Sequence, residues 1–465
     1  MIRLPKKREP FVRRLSPQWL MALGFLCAIL AGSVLLVLPA SNANGRAMPF
    51  VNALFTATSA TCVTGLSVID IGTDLTLFGQ LVVLTLIQLG GLGITTSGTF
   101  LLVLVGRRLS VQNEFVLMNA YGVEEVKGIR SLLLWAMGFT LLFEGAGTLF
   151  LWSRYLHPAA ETVIRPQGWS ALYYAVFHSV SAFCNAGFSL YADSLVGFQK
   201  DPVYLGIISL LIIAGGLGFL VLYNLITIKF WRRNLKTRGR ITLHSRIVLS
   251  ATVILLLLGT AVFLVQEWSN TLGGLSLADK LACSFFHAVT PRTAGFNVVP
   301  MNQLREITRF TTALFMLVGG SPGSSAGGIK TTTLVVLVMT IVAMCRGRRE
   351  TVLFGRTIPY SIVREALVIF LLAISLILTA YGLLLWTEYP QKPDDAAKLM
   401  FETISASATV GLSINHTPLL STAGRLIIIA VMFVGRLGPL AVALLIGNRD
   451  DTQRIRYPEE EVVVG

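Results

Sequence analysis

Long apolar runs dominate this chain and are separated by short polar segments. Most runs reach about 20 residues, the length that an α-helix needs to cross the hydrocarbon core of a bilayer. They lack the strict alternation of apolar and polar residues that a membrane β-strand would show. We therefore predict an all-α polytopic membrane protein with eight spanning helices. Their approximate limits are 18–39, 76–105, 131–152, 203–230, 247–266, 308–345, 363–387 and 424–447.

Between the two runs of each successive pair lies a stretch that could form a helix of about 12 residues, too short to cross a bilayer. Each stretch leads into a related phrase. The four phrases are FTATSATCVTGLS (55–67), FHSVSAFCNAGFS (177–189), FFHAVTPRTAGFN (285–297) and FETISASATVGLS (401–413). This recurrence predicts four membrane-pore-membrane repeats, each with a spanning helix, a re-entrant half-helix and a second spanning helix.

In every phrase a glycine comes ten residues after a phenylalanine. The pairs are Phe55 and Gly65, Phe177 and Gly187, Phe285 and Gly295, and Phe401 and Gly411. Non-helical backbone at membrane depth is tolerated only where it is buried in protein or lines a wet path. One such glycine would indicate helix packing through small residues, but four at one offset indicate a ring around a pseudo-fourfold pore.

A ring of backbone carbonyls can replace the hydration shell of a potassium ion, and glycine adopts the required positive φ cheaply. The carboxyl ends of the half-helices add negative potential. No carboxylate stands close to any of the glycines, which favours a monovalent over a divalent cation. The predicted potassium filter consists of Thr64, Gly65, Ala186, Gly187, Ala294, Gly295, Val410 and Gly411.

A second glycine-rich interruption follows in the second run of each repeat, and equal offsets predict that all four lie beneath the filter. The third copy cannot stay helical because glycine and proline break helices. We predict an intramembrane gating loop over 319–329, formed by Gly319, Gly320, Ser321, Pro322, Gly323, Ser324, Ser325, Ala326, Gly327 and Gly328 up to residue 329. Its likeness to a phosphate-binding loop is superficial, since Ile329 interrupts the motif and no strand precedes it.

Arg436 is the matching feature of the fourth copy. A charge inside the membrane is costly and normally faces a protein interior or a wet cavity. Arg436 could bond the loop carbonyls, repel resting cations, or only extend its side chain to the cytoplasmic edge. Glu144 is better explained as a structural hydrogen-bond partner than as an ion ligand. Glu402 could attract cations or anchor its half-helix, and His178 and His287 lack a matching set of metal ligands.

Composition agrees with a membrane protein: 54% of residues are hydrophobic and 13% are charged. The net charge of +14 could indicate nucleic acid, but the basic residues cluster in the amino terminus and in alternate loops. That distribution is the positive-inside pattern, which predicts cytoplasmic amino and carboxyl termini. The first run is too long for the core of a signal peptide. The five cysteines lack metal-type spacing, and we predict no metal centre or cofactor. We predict no enzymatic activity either, because the sequence shows no nucleophile-base or metal constellation.

The predicted organisation is a basic amino terminus, four repeats and a cytoplasmic tail. The boundaries are 1–16 for the amino terminus, 17–108, 109–235, 236–350 and 351–448 for repeats 1 to 4, and 449–465 for the tail.

These motifs resemble the Trk/Ktr/HKT superfamily of potassium transporters, most closely its bacterial Ktr-type membrane subunit, and the resemblance covers essentially the whole chain. It is carried by TATSATCVTGLSVIDIGTDLTLFGQ (56–80), SAFCNAGFS, TPRTAGFN, ATVGLS, GGSPGSSAGGIKTTT, GRLGPL and the terminal RYPEEEVVVG. The resemblance implies a homodimer of pores in the plasma membrane, with filter glycines at Gly65, Gly187, Gly295 and Gly411. It also implies a gate formed by 319–329 and Arg436.

The same resemblance implies a cytoplasmic ring of nucleotide-binding regulatory subunits and potassium transport stimulated by sodium. Plant relatives with serine at the first filter position favour sodium, and Gly65 keeps the potassium-type pattern. The phrases depart from the TVGYG sequence of potassium channels, which leaves sodium passage open. Two alternatives to gated potassium uptake remain: a symporter coupled to sodium or protons, and a sodium-translocating membrane subunit.

Overall fold

The computed structural model describes residues 17–93, 129–157, 166–227, 241–388, 395–438 and 441–442. The predicted basic amino terminus, most of the basic linkers and the carboxyl tail lie outside these residues. Within the described ranges α-helices dominate and the only strands are two of two residues each, which agrees with the predicted all-α fold.

Fourteen α-helices, four 3-10 helices of three residues and one small hairpin account for the regular structure of the described residues. The helices are α1 (Pro17–Val37), α2 (Phe50–Thr61), α3 (Leu77–Leu92), α4 (Ile129–Leu156), α5 (Trp169–Phe183), α6 (Pro202–Leu217), α7 (Phe219–Thr227), α8 (Leu243–Glu267), α9 (Leu277–Val289), α10 (Glu306–Met316), α11 (Thr331–Cys345), α12 (Tyr360–Glu388), α13 (Ala396–Ser407) and α14 (Thr422–Leu437); the hairpin pairs β1 (Val352–Leu353) with β2 (Arg356–Thr357).

The first helix of every repeat is long and apolar enough to cross a membrane. These four spans are α1, α4, α8 and α12, and the last is only 17% buried over its most apolar window. Large apolar side chains on them are exposed, such as Leu141, Leu257 and Trp386. In water such exposure would be costly, so these helices form the outer, lipid-facing layer.

In every repeat the helix after the ring segment ends at or shortly before a glycine inside its apolar run. Helices α3, α6 and α14 end at Gly93, Gly218 and Gly438, all with positive φ, where glycine carries no Cβ penalty. After Gly218 the chain turns by 95° into α7. The glycine-rich interruption predicted inside the run 203–230 lies at Gly218, where the glycine ends α6.

The half-helices α2, α5, α9 and α13 lie inside the ring of outer spans. They contain 12, 15, 13 and 12 residues, close to the predicted length. Buried clusters join repeat 1 to repeat 2, repeat 2 to repeats 3 and 4, and repeat 4 back to repeat 1. The core therefore closes on itself around a central axis.

Candidate functional site: a ring of four glycines

The four predicted glycines meet at the centre of the molecule. A Cβ built on Gly65 would approach the carbonyl oxygen of Ala186, and one built on Gly187 would approach that of Ala294. In the same way a Cβ built on Gly295 would approach the carbonyl oxygen of Val410, and one built on Gly411 would approach that of Thr64. Every one of these oxygens would lie less than 3.0 Å from the added atom. The contacts run from repeat 1 to 2, 3, 4 and back to 1, so the four segments form a closed ring, here called the glycine ring.

Two left-handed residues occur in each segment of the ring. The glycines have φ values of 93°, 72°, 78° and 92° in chain order. Two residues earlier stand Val63, Asn185, Thr293 and Thr409, with φ values of 56°, 59°, 72° and 51°. Positive φ is uncommon outside glycine and costly for β-branched residues, so its recurrence at four equivalent positions indicates a functional constraint. The sequence phrases gave no sign of this second position.

The backbone donors of the ring point away from its centre. The N–H groups of Thr64, Ala186 and Val410 donate to carbonyls five residues earlier, at 2.8, 2.7 and 2.8 Å. Gly65 and Gly411 donate to the hydroxyls of Ser59 and Ser405, both at 3.1 Å. These bonds tie each segment to the end of its half-helix and fix its orientation.

The backbone acceptors of the ring remain free. Within the described part of the chain, no protein group donates to the carbonyls of the glycines or of the two residues before each of them. Buried carbonyls almost always have a partner, and lone pairs without a protein donor require water or a cation. The ring is therefore a concentrated set of carbonyl oxygens without protein donors, and no carboxylate belongs to it.

In the third repeat the register differs by one residue from the sequence alignment. Phe55, Phe177 and Phe401 are buried, but Phe285 is 37% exposed and its neighbour Phe286 is fully buried. The pairing of Phe285 with Gly295 is therefore wrong, and Phe286 is the structural counterpart. Pro291 explains the shift, since it has no N–H to continue the helix and the segment leaves α9 by a different turn.

The residue after the buried phenylalanine anchors the chain that leaves the ring. Glu402 accepts bonds from the Ser413 hydroxyl, the Ile414 N–H at 3.2 Å and the Thr417 hydroxyl at 2.6 Å. His178 is the counterpart in repeat 2, where its Nε2 lies 3.1 Å from the Ser189 hydroxyl. These contacts satisfy both side chains within the protein.

Glu144 lies behind the ring between repeats 1 and 2. Its carboxylate accepts a bond from Gln88 Nε2 at 3.3 Å and one from Cys184 Sγ at 3.7 Å. Its backbone carbonyl accepts the Ser179 hydroxyl at 2.7 Å. These contacts make Glu144 a hydrogen-bond partner that joins adjacent repeats.

On the side of the ring where the half-helices end, here called below, glycines of the second helices pack against those ends. Gly90, Gly215 and Gly435 each face the carbonyl of the last residue of their own half-helix, namely Thr61, Phe183 and Ser407. No side chain fits at such contacts. This layer therefore brings three of the four predicted interruptions to one level.

The predicted loop, residues 319–329, lies directly below the ring. A Cβ on Gly327 would overlap the hydroxyl of Thr409, which belongs to the fourth segment of the ring. On the other side, the N–H and hydroxyl of Ser321 donate to the carbonyl of Gly216 at 3.1 and 2.8 Å. Phe219 N–H donates to the Gly323 carbonyl at 3.1 Å. The loop thus fills the bend at the end of α6 and spans from repeat 2 to repeat 4.

Arg436 holds this loop from the fourth repeat. One terminal nitrogen of its guanidinium donates to the Ser325 carbonyl, and the other donates to the Gly90 carbonyl of repeat 1. Lys330 adds a bond from its ammonium to the Ala326 carbonyl at 2.6 Å. Repeats 1, 3 and 4 are therefore joined by one side chain, and Arg436 does not extend to the membrane edge.

Comparison with known proteins agrees with this architecture. The family model TrkH, described as cation transport protein, matches residues 27–452. The Ktr system potassium uptake protein B of Bacillus subtilis (strain 168) is 38% identical over 455 residues, covering 97% of both chains. The potassium/sodium uptake protein NtpJ of Enterococcus hirae is 37% identical, covering 97% of this chain and 98% of its own.

A solved structure shows the same fold. The crystal structure of the potassium transporter TrkH from Vibrio parahaemolyticus superposes with a TM-score of 0.72 at 16% sequence identity. The match covers 95% of this chain and 87% of the other.

Proposed function

The chain belongs to the TrkH family of cation transport proteins, and from this premise we propose that it takes up potassium ions across the plasma membrane through the glycine ring. The observation that carries the proposal is the closed ring of carbonyls without protein donors. A large monovalent cation sheds its water at low cost and can be coordinated by such carbonyls. The membrane potential supplies about 2.3 kcal/mol per charge per 100 mV for inward movement.

The loop 319–329 and Arg436 act as the gate below this filter. The loop lies against Thr409, and Arg436 bonds its Ser325 carbonyl, so the path below the ring is obstructed in this conformation. Opening requires that these contacts break and that the loop moves away from the axis. A bistable element of this kind can be controlled by any partner that binds one state more tightly.

A cytoplasmic nucleotide-binding subunit is the proposed controlling partner, and the transporter works as a homodimer with both termini in the cytoplasm. The similarity to a Ktr system protein and the positive-inside charge pattern support this arrangement. Reconstituted vesicles with and without such a subunit and ATP provide a direct test. Potassium flux that does not respond to the subunit would argue against this partner.

Growth of a potassium-uptake-deficient bacterium on low potassium tests the main proposal. We expect the protein to restore growth and Gly411→Val to abolish it, because a side chain at Gly411 overlaps the Thr64 carbonyl. Membrane abundance of both proteins must be equal. Failure of the wild-type protein to restore growth, with confirmed expression, would contradict potassium uptake.

Sodium passage is a second candidate, favoured by the similarity to a protein named for potassium and sodium uptake. The same growth assay with and without sodium, together with measured ion uptake, distinguishes sodium as an activator from sodium as a transported ion. Stimulation of potassium uptake by sodium, without sodium accumulation, indicates activation. Sodium accumulation that depends on Gly65 indicates that both ions use the ring.

A further inference from the structure

Arg292 is a buried charge that has no partner among the described residues. It lies three residues before Gly295 and is only 7% exposed. Its side chain forms no hydrogen bond or ion pair with any residue that the structure describes, and its Nε atom is fully buried. A guanidinium carries five N–H donors and keeps its charge in proteins, so burial without acceptors is strongly unfavourable.

The surroundings of Arg292 do not compensate this charge. Its side chain lines a cavity of about 10 Å³, enough for about one water molecule. The other lining residues are Ile212, Ile213, Gly216, Leu256 and Val289. With this apolar lining, the electric field of the guanidinium is weakly screened.

The corresponding positions in the other repeats are neutral. Cys62, Cys184 and Ala408 stand three residues before Gly65, Gly187 and Gly411. In repeat 2 this position faces a carboxylate, since Cys184 contacts Glu144. Arg292 is therefore the only positive side chain at this position of the four segments, while the second nearby cation, Arg436, belongs to α14 and lies on the side of Cys62 and Cys184.

Arg292 and Gly295 belong to the same ring segment, and their backbones are at most about 10 Å apart, the span of three extended residues. Electrostatic interactions in an apolar protein interior extend beyond that length, so the charge raises the free energy of a cation in the ring. Conduction requires a cation to bind well enough to enter a filter and weakly enough to leave it. A positive charge at the inner end of the ring weakens cation binding there and so favours release of the ion.

We propose that Arg292 lowers cation occupancy at the inner end of the glycine ring and so speeds release of the transported ion into the space above the gate. The proposal rests on the proposed function of the ring as the potassium filter. The absence of a partner is essential to it, because a paired guanidinium would have little effect on the ion. Arg292 thus tunes affinity and turnover and does not itself coordinate the ion.

The test is the neutral variant Arg292→Met, which keeps the length of the side chain. We expect the KM for potassium uptake to fall on the order of tenfold and the maximal rate to fall as well. Thermal stability should stay the same or increase, because the variant removes an unpaired buried charge. Arg309→Met is the matched control, since Arg309 belongs to the same repeat, is paired with Glu306 and should change neither kinetic constant.

If Arg292 has only a structural role, its variants should be less stable and should keep the KM of the wild-type protein. Lower stability with an unchanged KM in both Arg292→Met and Arg292→Gln would overturn the proposal, as would failure of both variants to fold. Titration of potassium into the purified proteins provides a second measurement, in which the variant should bind more tightly. If the wild-type protein transports no potassium, the function of the ring fails; if it does and the variants match it, only the role of Arg292 fails.

Discussion

The glycine ring and the layer below it are built from the same four repeats but differ in symmetry. In the ring, every repeat contributes a positive-φ glycine that faces a carbonyl of the next repeat. Below it, the residue after the packed glycine is Gly91 in repeat 1, Gly216 in repeat 2 and Arg436 in repeat 4, while repeat 3 forms a loop. A ring that surrounds a spherical ion with similar carbonyl ligands can be built from equivalent segments. Obstruction of a path requires only one element that moves and one that holds it.

Among the variants that test this difference between the ring and the layer below it, Gly65→Ser should have the largest effect. The Cβ would lie 2.5 Å from the Ala186 carbonyl oxygen at a φ of 93°, so the ring must distort. We expect discrimination of potassium over sodium to fall by about tenfold, which corresponds to about 1.4 kcal/mol. Competition of sodium with radioactive rubidium uptake measures this change.

The control for this prediction is Gly206→Ser, because no atom lies within 4 Å of a Cβ at that position. Equivalence of the four segments further requires that Gly295→Ser resemble Gly65→Ser. If serine at either ring position leaves the competition of sodium with rubidium uptake unchanged, the four segments do not contribute equally to selectivity.

Deletion of residues 321–327 removes most of the proposed gate and should raise basal flux. The ends of the deleted segment are close, since Gly319 N–H bonds the Ile329 carbonyl at 2.9 Å and the chain can be rejoined. We expect an increase of about tenfold, because closed and open states of such elements typically differ by a few kcal/mol. Flux into vesicles from a folded dimer is the measurement, and a rate at or below wild type would contradict a gating role.

Arg436→Ala should raise basal flux less than the deletion. The loop loses one charged donor but keeps the bonds of Ser321 to repeat 2. Hydrogen bonds to charged groups contribute about 1.5 to 3 kcal/mol each, part of which the loop recovers by binding water. A rise of about threefold is expected in the same assay, with Arg309→Ala as control; an unchanged rate would mean that Arg436 does not hold the gate.

Thr64→Ala should have the smallest effect. The Thr64 hydroxyl has no partner among the described residues, and repeats 2 and 3 already carry alanine at this position. If backbone carbonyls provide selectivity, ion competition should stay within about twofold of wild type. A larger loss would show that the hydroxyl contributes a ligand and that repeat 1 differs from the others.

The sequence by itself determined the repeats, the half-helices and the four glycines. These features follow from local physics: apolar runs of membrane length, stretches too short to span, and glycine where positive φ is needed. The loop 319–329 was equally visible, because glycine and proline exclude a helix there. Such signals lie within a few residues of the feature that they predict.

Only the tertiary structure decided which groups meet. The positive φ of Val63, Asn185, Thr293 and Thr409 arises because four segments must fit one axis, and nothing in those residue types requires it. The burial of Phe286 in place of Phe285 and the burial of Arg292 likewise depend on the neighbouring repeats. A sequence specifies what each segment can do alone, whereas close packing of four unlike repeats selects among those possibilities.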